Sequence, residues 1–233
     1  MCGRFAQSSN QKKMMARFKI KKPVPSFTLR YNIAPLQMVP VVIQAQEERV
    51  FTPMLWGLIP SWGKDPTIAN RMINARLESV RTKPSFRSCL KQKRCLIPAT
   101  GFYEWRAVKG NKGKIPMWIS LKNQDIFAFA GLWDEWLDPQ HNKIQTFTII
   151  TTEANSFLQS IHSRMPVILE ANAEDSWLEP SIKDSQQVLH NLKQVSVDLM
   201  QAHAVSAYVN SPKNDGIECI QEAPDPEQDL TLF

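Results

Sequence analysis

The sequence predicts a mixed α+β fold in one domain, and three observations carry that expectation. Short apolar runs bounded by turn residues recur along the chain, as strands do. The amphipathic stretches between them are too brief for long helices. A length of 233 residues is enough to bury one sizeable core, and 43% hydrophobic against 21% charged residues is the balance of an ordinary globular chain.

Taken in order, Ser9 and Asn10 can cap a short helix reaching about Phe18, with Met14, Met15 and Phe18 on its apolar side. Lys21 to Pro25 ends it. Met38–Gln44 reads as a buried strand, and Val50–Gly57 as its hairpin partner across the polar Gln46-Glu47-Glu48 turn. Trp56–Trp62 is turn-rich, with Pro60 preventing regular structure. Further strands are expected at Arg94–Pro98, Phe102–Arg106, Pro116–Leu121, Ile126–Leu132 and Gln145–Thr151, with a hairpin tip at Lys109–Gly113. Thr152 opens a helix to about Ile161. Met165–Leu169 is a strand, and Ala171–Leu178 and Lys183–Lys193 are helical. The domain is expected to span 1–222. From Ala223 the proline-containing acidic tail to Phe233 is expected to be disordered.

No apolar run approaches the roughly 18 to 20 residues of a membrane span. No signal-peptide core follows Met1, so the expected location is the cytosol, beside the nucleoid if the partner is DNA. Cys2, Cys89, Cys95 and Cys219 show no framework spacing and read as reduced thiols. No histidine or cysteine pair has metal-ligand spacing, and neither a dinucleotide nor a phosphate-loop fingerprint occurs, so no metal and no cofactor are expected. Charge is unevenly placed: residues 1–95 carry 18 Lys and Arg against 4 Asp and Glu, and the remainder 10 against 18. A basic first half suits a polyanion such as nucleic acid, unless the halves interleave in the fold.

Cys2 is the main chemical feature. Once Met1 is trimmed, the chain would begin with an amine and a thiol on adjacent carbons. An α-amine has a pKa of about 7.7–8.0 against about 10.4 for lysine, so far more of it is a free nucleophile near neutrality. The amine can form a Schiff base with an aldehyde, and the thiol can close on the imine carbon to give a thiazolidine. Glu104 lies in Gly101-Phe102-Tyr103-Glu104-Trp105 and shares a strand face with Phe102, where a shielded carboxyl could move protons. His162 stands at a helix-to-strand junction with Arg164 two residues on. Asn74 can orient a carbonyl or hydroxyl, and Arg76 can grip phosphate, at the start of an expected helical turn. A plain structural role is open to each: a small residue near a terminus, a solvated edge glutamate, a capping histidine, an Arg–Glu pair.

Taken together, these segments resemble the SRAP family, the SOS response-associated peptidase-like or abasic-site processing proteins. The resemblance runs through Met1–Phe5, Tyr31–Pro35, Trp56–Trp62, Asn74–Glu78, Arg94–Ala99, Gly101–Trp105, Ala130–Trp133, Phe147–Thr151, Ile161–Leu169, Val205-Ser206 and Val209-Asn210. It implies a curved or barrel-like β-sheet with peripheral helices and a basic cleft for single-stranded DNA holding an abasic site. It further implies Cys2 as crosslinking nucleophile, Asn74 as orienter of the opened sugar, Glu104 as proton carrier, and His162 as the group that assists ring opening. Arg4, Arg76 and Arg164 would lie near phosphates, and Trp62 would stack on a base. The implied activity is a covalent DNA linkage of lyase type, with a possible autopeptidase step removing Met1. A monomer is expected.

Two rival readings stay open. An N-terminal-nucleophile amidohydrolase also begins Met-Cys-Gly, but no Gly-rich glutaminase loop follows Arg4-Phe5. A non-catalytic single-strand-binding module would use the basic half with Trp56, Trp62 and Trp105, and would leave no covalent bond.

Overall fold

The computed structural model describes residues 2–22, 26–108, 110 and 112–226. Among them the strands are β1 (Phe5–Gln7), β2 (Arg30–Ile33), β3 (Met38–Ala45), β4 (Glu48–Trp56), β5 (Asn74–Arg76), β6 (Arg94–Ala99), β7 (Gly101–Ala107), β8 (Lys114–Leu121), β9 (Phe127–Leu137), β10 (Lys143–Glu153), β11 (Arg164–Pro166), β12 (Ile168–Leu169) and β13 (Met200–Ala204). The helices are α1 (Gln11–Arg17), α2 (Pro84–Gln92), α3 (Glu174–Leu178) and α4 (Ser185–His190).

Five strands close a barrel in the order β10, β4, β3, β6, β9, with β9 returning to β10 along the register Lys143↔Leu137 to Ile149↔Gly131. A second sheet, β13-β8-β7-β1-β2, covers one side. The barrel strands alternate between two apolar environments, which is why they read as almost unbroken hydrophobic runs. Val41, Ile97, Phe129 and Ile149 join the core shared with the second sheet. Their neighbours Val42, Leu96, Ala130 and Ile150 join a second core under the helices. Phe5 and Phe102 from the second sheet meet Trp56 and Phe129 edge-on at 5.0 and 5.9 Å, clamping the two layers together. Close approach fixes Gly101, since a Cβ there would stand 2.2 Å from the Trp118 ring.

Most expected elements are found within a residue or two. The α1 cap is Asn10, whose side chain accepts from Lys13 N–H at 2.9 Å. The β3–β4 hairpin pairs Ala45 with Glu48, leaving a turn of Gln46 and Glu47 with Gln46 at φ +55°. The helix expected from Thr152 does not form. Instead β10 continues through Glu153 because Thr151, Thr152 and Glu153 pair with Pro166, Met165 and Arg164 of β11. Only helical turns follow, among them His162 N–H to Leu158 O at 2.9 Å. The strand expected over Met165–Leu169 is split at Val167, which bonds both Ile150 O and Ala130 N–H as the chain crosses between β10 and β9.

Lys109 and Asn111 of the expected hairpin tip, and Pro23–Pro25 of the break after α1, lie outside the described residues. Ala223 N–H bonds Ala204 O, and the Asp225 carboxylate is buried against Arg106 at 2.6 Å. The rest of the expected tail from Glu227 lies outside the described residues. No described helix is long and apolar enough to cross a membrane.

Candidate active site

The pairing of β1 with β7, Phe5↔Phe102 and Tyr103 N–H to Arg4 O at 3.0 Å, carries the chain upstream of Phe5 along β7 toward Glu104. Cys2 is completely buried there. Its carbonyl accepts from Asn74 Nδ2 at 2.9 Å. Asn74 sits on β5, which was expected to be a helical turn. It is a short strand first, held parallel to β10 by Asn74↔Ile149, with one 3-10 turn over Leu77–Ser79 behind it. The other amide atom of Asn74, Oδ1, is buried and accepts no hydrogen bond, so an acceptor stands ready beside Cys2.

Glu104 is 4% exposed. Burial raises its carboxyl pKa above the usual carboxylate range, and nearby positive charge, His162 and Lys114 included, draws it part of the way back. His162 Nε2 is 3.9 Å from Glu104 Oε2, an ion-pair separation when the ring is protonated but too long for a direct hydrogen bond. The Arg164 N–H donates to His162 Nδ1 at 2.9 Å, which assigns the neutral ring's proton to Nε2, the atom aimed at Glu104. Burial pushes the Cys2 thiol pKa far up, and the Glu104 charge adds to it. The thiol is therefore neutral, and a thiolate attack on an amide, which the amidohydrolase reading needs, is poorly served. A thiol that adds to an imine only after the amine has formed it is well served, with a proton acceptor adjacent.

Four separated segments thus deliver Cys2, Asn74, Glu104 and His162 to one place. The residues expected at DNA divide differently. Trp62 is 61% exposed and rims an open depression of about 690 Å³ lined also by Lys64, Thr67, Ile68 and Arg71. Arg76 is exposed beside the site. Arg4 is engaged within the protein: it donates to Asn32 Oδ1 at 2.7 Å and to Val209 O at 2.9 Å, with Trp105 stacked on it at 5.7 Å. Arg164 forms a two-point pair with Glu78 at 2.7 and 3.0 Å and also reaches Thr151 O. Their donors are drawn inward because carbonyls at the chain's later turns and one carboxylate fall within reach.

Sequence reasoning missed Asn32, which is fully buried and ties β2 to Val209 O and Asn214 O. It also missed Asp134, a buried carboxylate beside the half-buried Glu135 in β9. Two adjacent acids inside the apolar run Phe127–Leu137 were the available signal. Among the described residues no three or more His, Cys, Asp and Glu side chains gather as a metal site.

The family model for SOS response associated peptidase (SRAP) matches residues 1–212. The abasic site processing protein YoqW of Bacillus subtilis (strain 168) is 44% identical over 223 residues, covering 95% of this chain and 99% of that one. The abasic site processing protein HMCES of Rattus norvegicus is 30% identical over 233 residues, covering 83% of this chain and 65% of its own length. The crystal structure of a Bacteroides thetaiotaomicron protein superposes with a TM-score of 0.85 at 31% identity, covering 96% of this chain and 100% of that one.

Proposed function

The chain belongs to the SOS response associated peptidase (SRAP) family, and from that premise we propose that it senses abasic sites in single-stranded DNA and captures them covalently through Cys2 once Met1 is removed. The observation that carries this reading is the meeting of a neutral buried thiol with a shielded carboxyl and an imidazole. Two relatives named as abasic site processing proteins support the substrate.

Each residue has a step that its surroundings suit. His162, with its Nε2 proton facing the site, hydrogen-bonds the sugar ring oxygen as that oxygen takes up the proton leaving the anomeric hydroxyl, so that the ring opens to the aldehyde and the imidazole ends as it began. Asn74 Oδ1 accepts the freed hydroxyl. The Cys2 amine adds to the aldehyde carbon, giving a carbinolamine. Glu104, whose carboxyl is shifted by burial toward its protonated form, passes a proton to the carbinolamine hydroxyl, which leaves as water and gives the iminium with its N–H retained. The ionised Glu104 then takes the thiol proton as sulfur bonds to the iminium carbon and the C=N electron pair returns to nitrogen, which keeps its N–H. One aldehyde, one amine and one thiol become a thiazolidine and one water. A well-placed acid or base contributes roughly 10²–10⁴-fold to such steps.

Trp62 and Arg76 contact the strand, by stacking and by phosphate pairing. Arg164 reaches a phosphate by exchanging Glu78 for it, and Arg4 holds the Asn32–Val209 region against β1. Single strands are favoured because a lesion enters the site with no base pair to break. The protein works as a monomer, and release of Met1 is the peptidase step that capture through Cys2 requires.

Intact-mass analysis of the product tests the chemistry. The expected mass is that of protein lacking Met1, plus the abasic oligonucleotide, minus one water. A product retaining Met1 would overturn the thiazolidine, because the amine would then be blocked.

A further inference from the structure

The loop that presents Trp62 is fastened on both sides of that residue by side chains of β9 and β10. Ile59 N–H donates to Thr146 Oγ1 at 2.8 Å, Ser61 N–H to Asp134 Oδ2 at 2.8 Å, and the Trp136 indole N–H to Gly63 O at 2.6 Å. All three anchoring side chains are buried, while Trp62 is among the most exposed large apolar residues of the fold. A further bond, Gly63 N–H to Pro60 O at 2.7 Å, closes the turn around Ser61 and Trp62. An exposed indole on a free loop would surrender ordering entropy at every binding event, whereas a fastened loop has lost it on folding.

Asp134 is the anchor that packing does not explain. A carboxylate is costly in a buried strand position, and an apolar residue would fill the space without that cost. Here its Oδ1 receives Lys93 Nζ at 2.6 Å and the Glu135 N–H at 2.9 Å, with Lys93 lying over the Trp133 ring at 5.3 Å. That pairing makes the charge tolerable and leaves Oδ2 to the loop.

We infer that Asp134 is the positioning residue for Trp62, with Thr146 and Trp136 as flanking anchors, and that together they hold the indole as a preformed stacking platform for an undamaged base beside the lesion. The inference rests on the single-strand reading above and names how that strand is gripped. The platform reads no base edge, since every base offers a π face.

Fluorescence anisotropy with an intact oligodeoxythymidine, which carries no aldehyde, isolates the platform from the covalent step. Trp62→Ala is expected to weaken binding at least about fivefold, the low end of one lost stacking contact. Asp134→Ala is expected to weaken it comparably, and Asp134→Ala combined with Trp62→Ala to bind no worse than Trp62→Ala alone. Asp134→Asn, which keeps the volume and an acceptor for Ser61, is expected to restore most of the loss. Trp136→Phe keeps the ring and drops only the bond to Gly63. It provides a milder variant should Asp134→Ala fold poorly, and its effect is likewise expected to vanish in the Trp62→Ala background. Losses that multiply with Trp62→Ala, or wild-type binding by Asp134→Ala, would overturn the inference. Failure of the covalent reading is separately visible: wild-type protein would grip intact DNA, respond to these substitutions, and still form no crosslink with abasic DNA.

Discussion

Replacing Glu104 by Gln removes an acid while keeping the shape and hydrogen-bonding reach of the side chain. At 4% exposure the carboxyl has little water to relay protons in its place, so the proton-transfer contribution of roughly 10²–10⁴-fold should be lost nearly in full. The pH profile gives a sharper sign. Capture requires a protonated Glu104 and an unprotonated amine, so the wild-type rate should rise to a maximum between the two pKa values and then fall. The amine limb belongs near about 7.7–8.0, and the carboxyl limb lies above the ordinary carboxylate range because burial has raised it. Glutamine cannot ionise, so the variant should show one rising limb and a plateau. Single-turnover time courses resolved on denaturing gels, from pH 5 to 9, supply both readouts, with anisotropy confirming that DNA binding persists. A variant reacting at the wild-type rate, or one that is slow yet keeps a falling limb, would refute the assignment.

Other outcomes follow from the same geometry. Because a raised carboxyl pKa stabilises the fold fully only below the unfolded value of about 4.3 and loses that contribution as pH rises through the folded value, Glu104→Gln should raise the melting temperature at pH 8, and a lowered one would count against a buried, costly carboxylate. Asn74→Ala should slow capture about tenfold or more without unfolding the chain, since it removes both the bond to Cys2 O and the free acceptor; an unchanged rate in the gel time course would remove Asn74 from the mechanism. Arg76→Ala should weaken DNA binding across sequences and reduce the salt slope by about one, and an unaltered slope would place Arg76 off the DNA path. Asp225→Ala removes the buried carboxylate that accepts from Arg106 at 2.6 Å and should cost roughly 1–3 kcal/mol in denaturant unfolding; a change within about 0.5 kcal/mol would show that this pair contributes nothing.

The barrel strands were legible because burial on both faces leaves long apolar runs that few other structures need, as in Val39–Ile43 and Phe127–Leu132. The candidate site was legible one residue at a time, through the uncommon chemistry of Cys2 and through Glu104 set among aromatics. Its assembly was not. Nothing local tells that Asn74 N–H will reach Cys2 O across 72 residues of chain, nor that Arg4 will turn to Val209 rather than outward. The failed helix after Thr152 has the same origin. Glu153-Ala154-Asn155 has the composition of a helix start, but ladder bonds to β11 outweigh a weak local preference. Asp134 was overlooked because its partners, Lys93 and the Ser61 N–H, lie 41 and 73 positions away.

Covalent capture through Cys2 is tested most directly by purified protein mixed with single-stranded DNA bearing a single abasic site, resolved on a denaturing gel beside intact DNA of the same sequence. The expected result is a shifted band that survives denaturation, requires the lesion and is absent for Cys2→Ala. No such band, from protein shown by mass spectrometry to lack Met1, would contradict it.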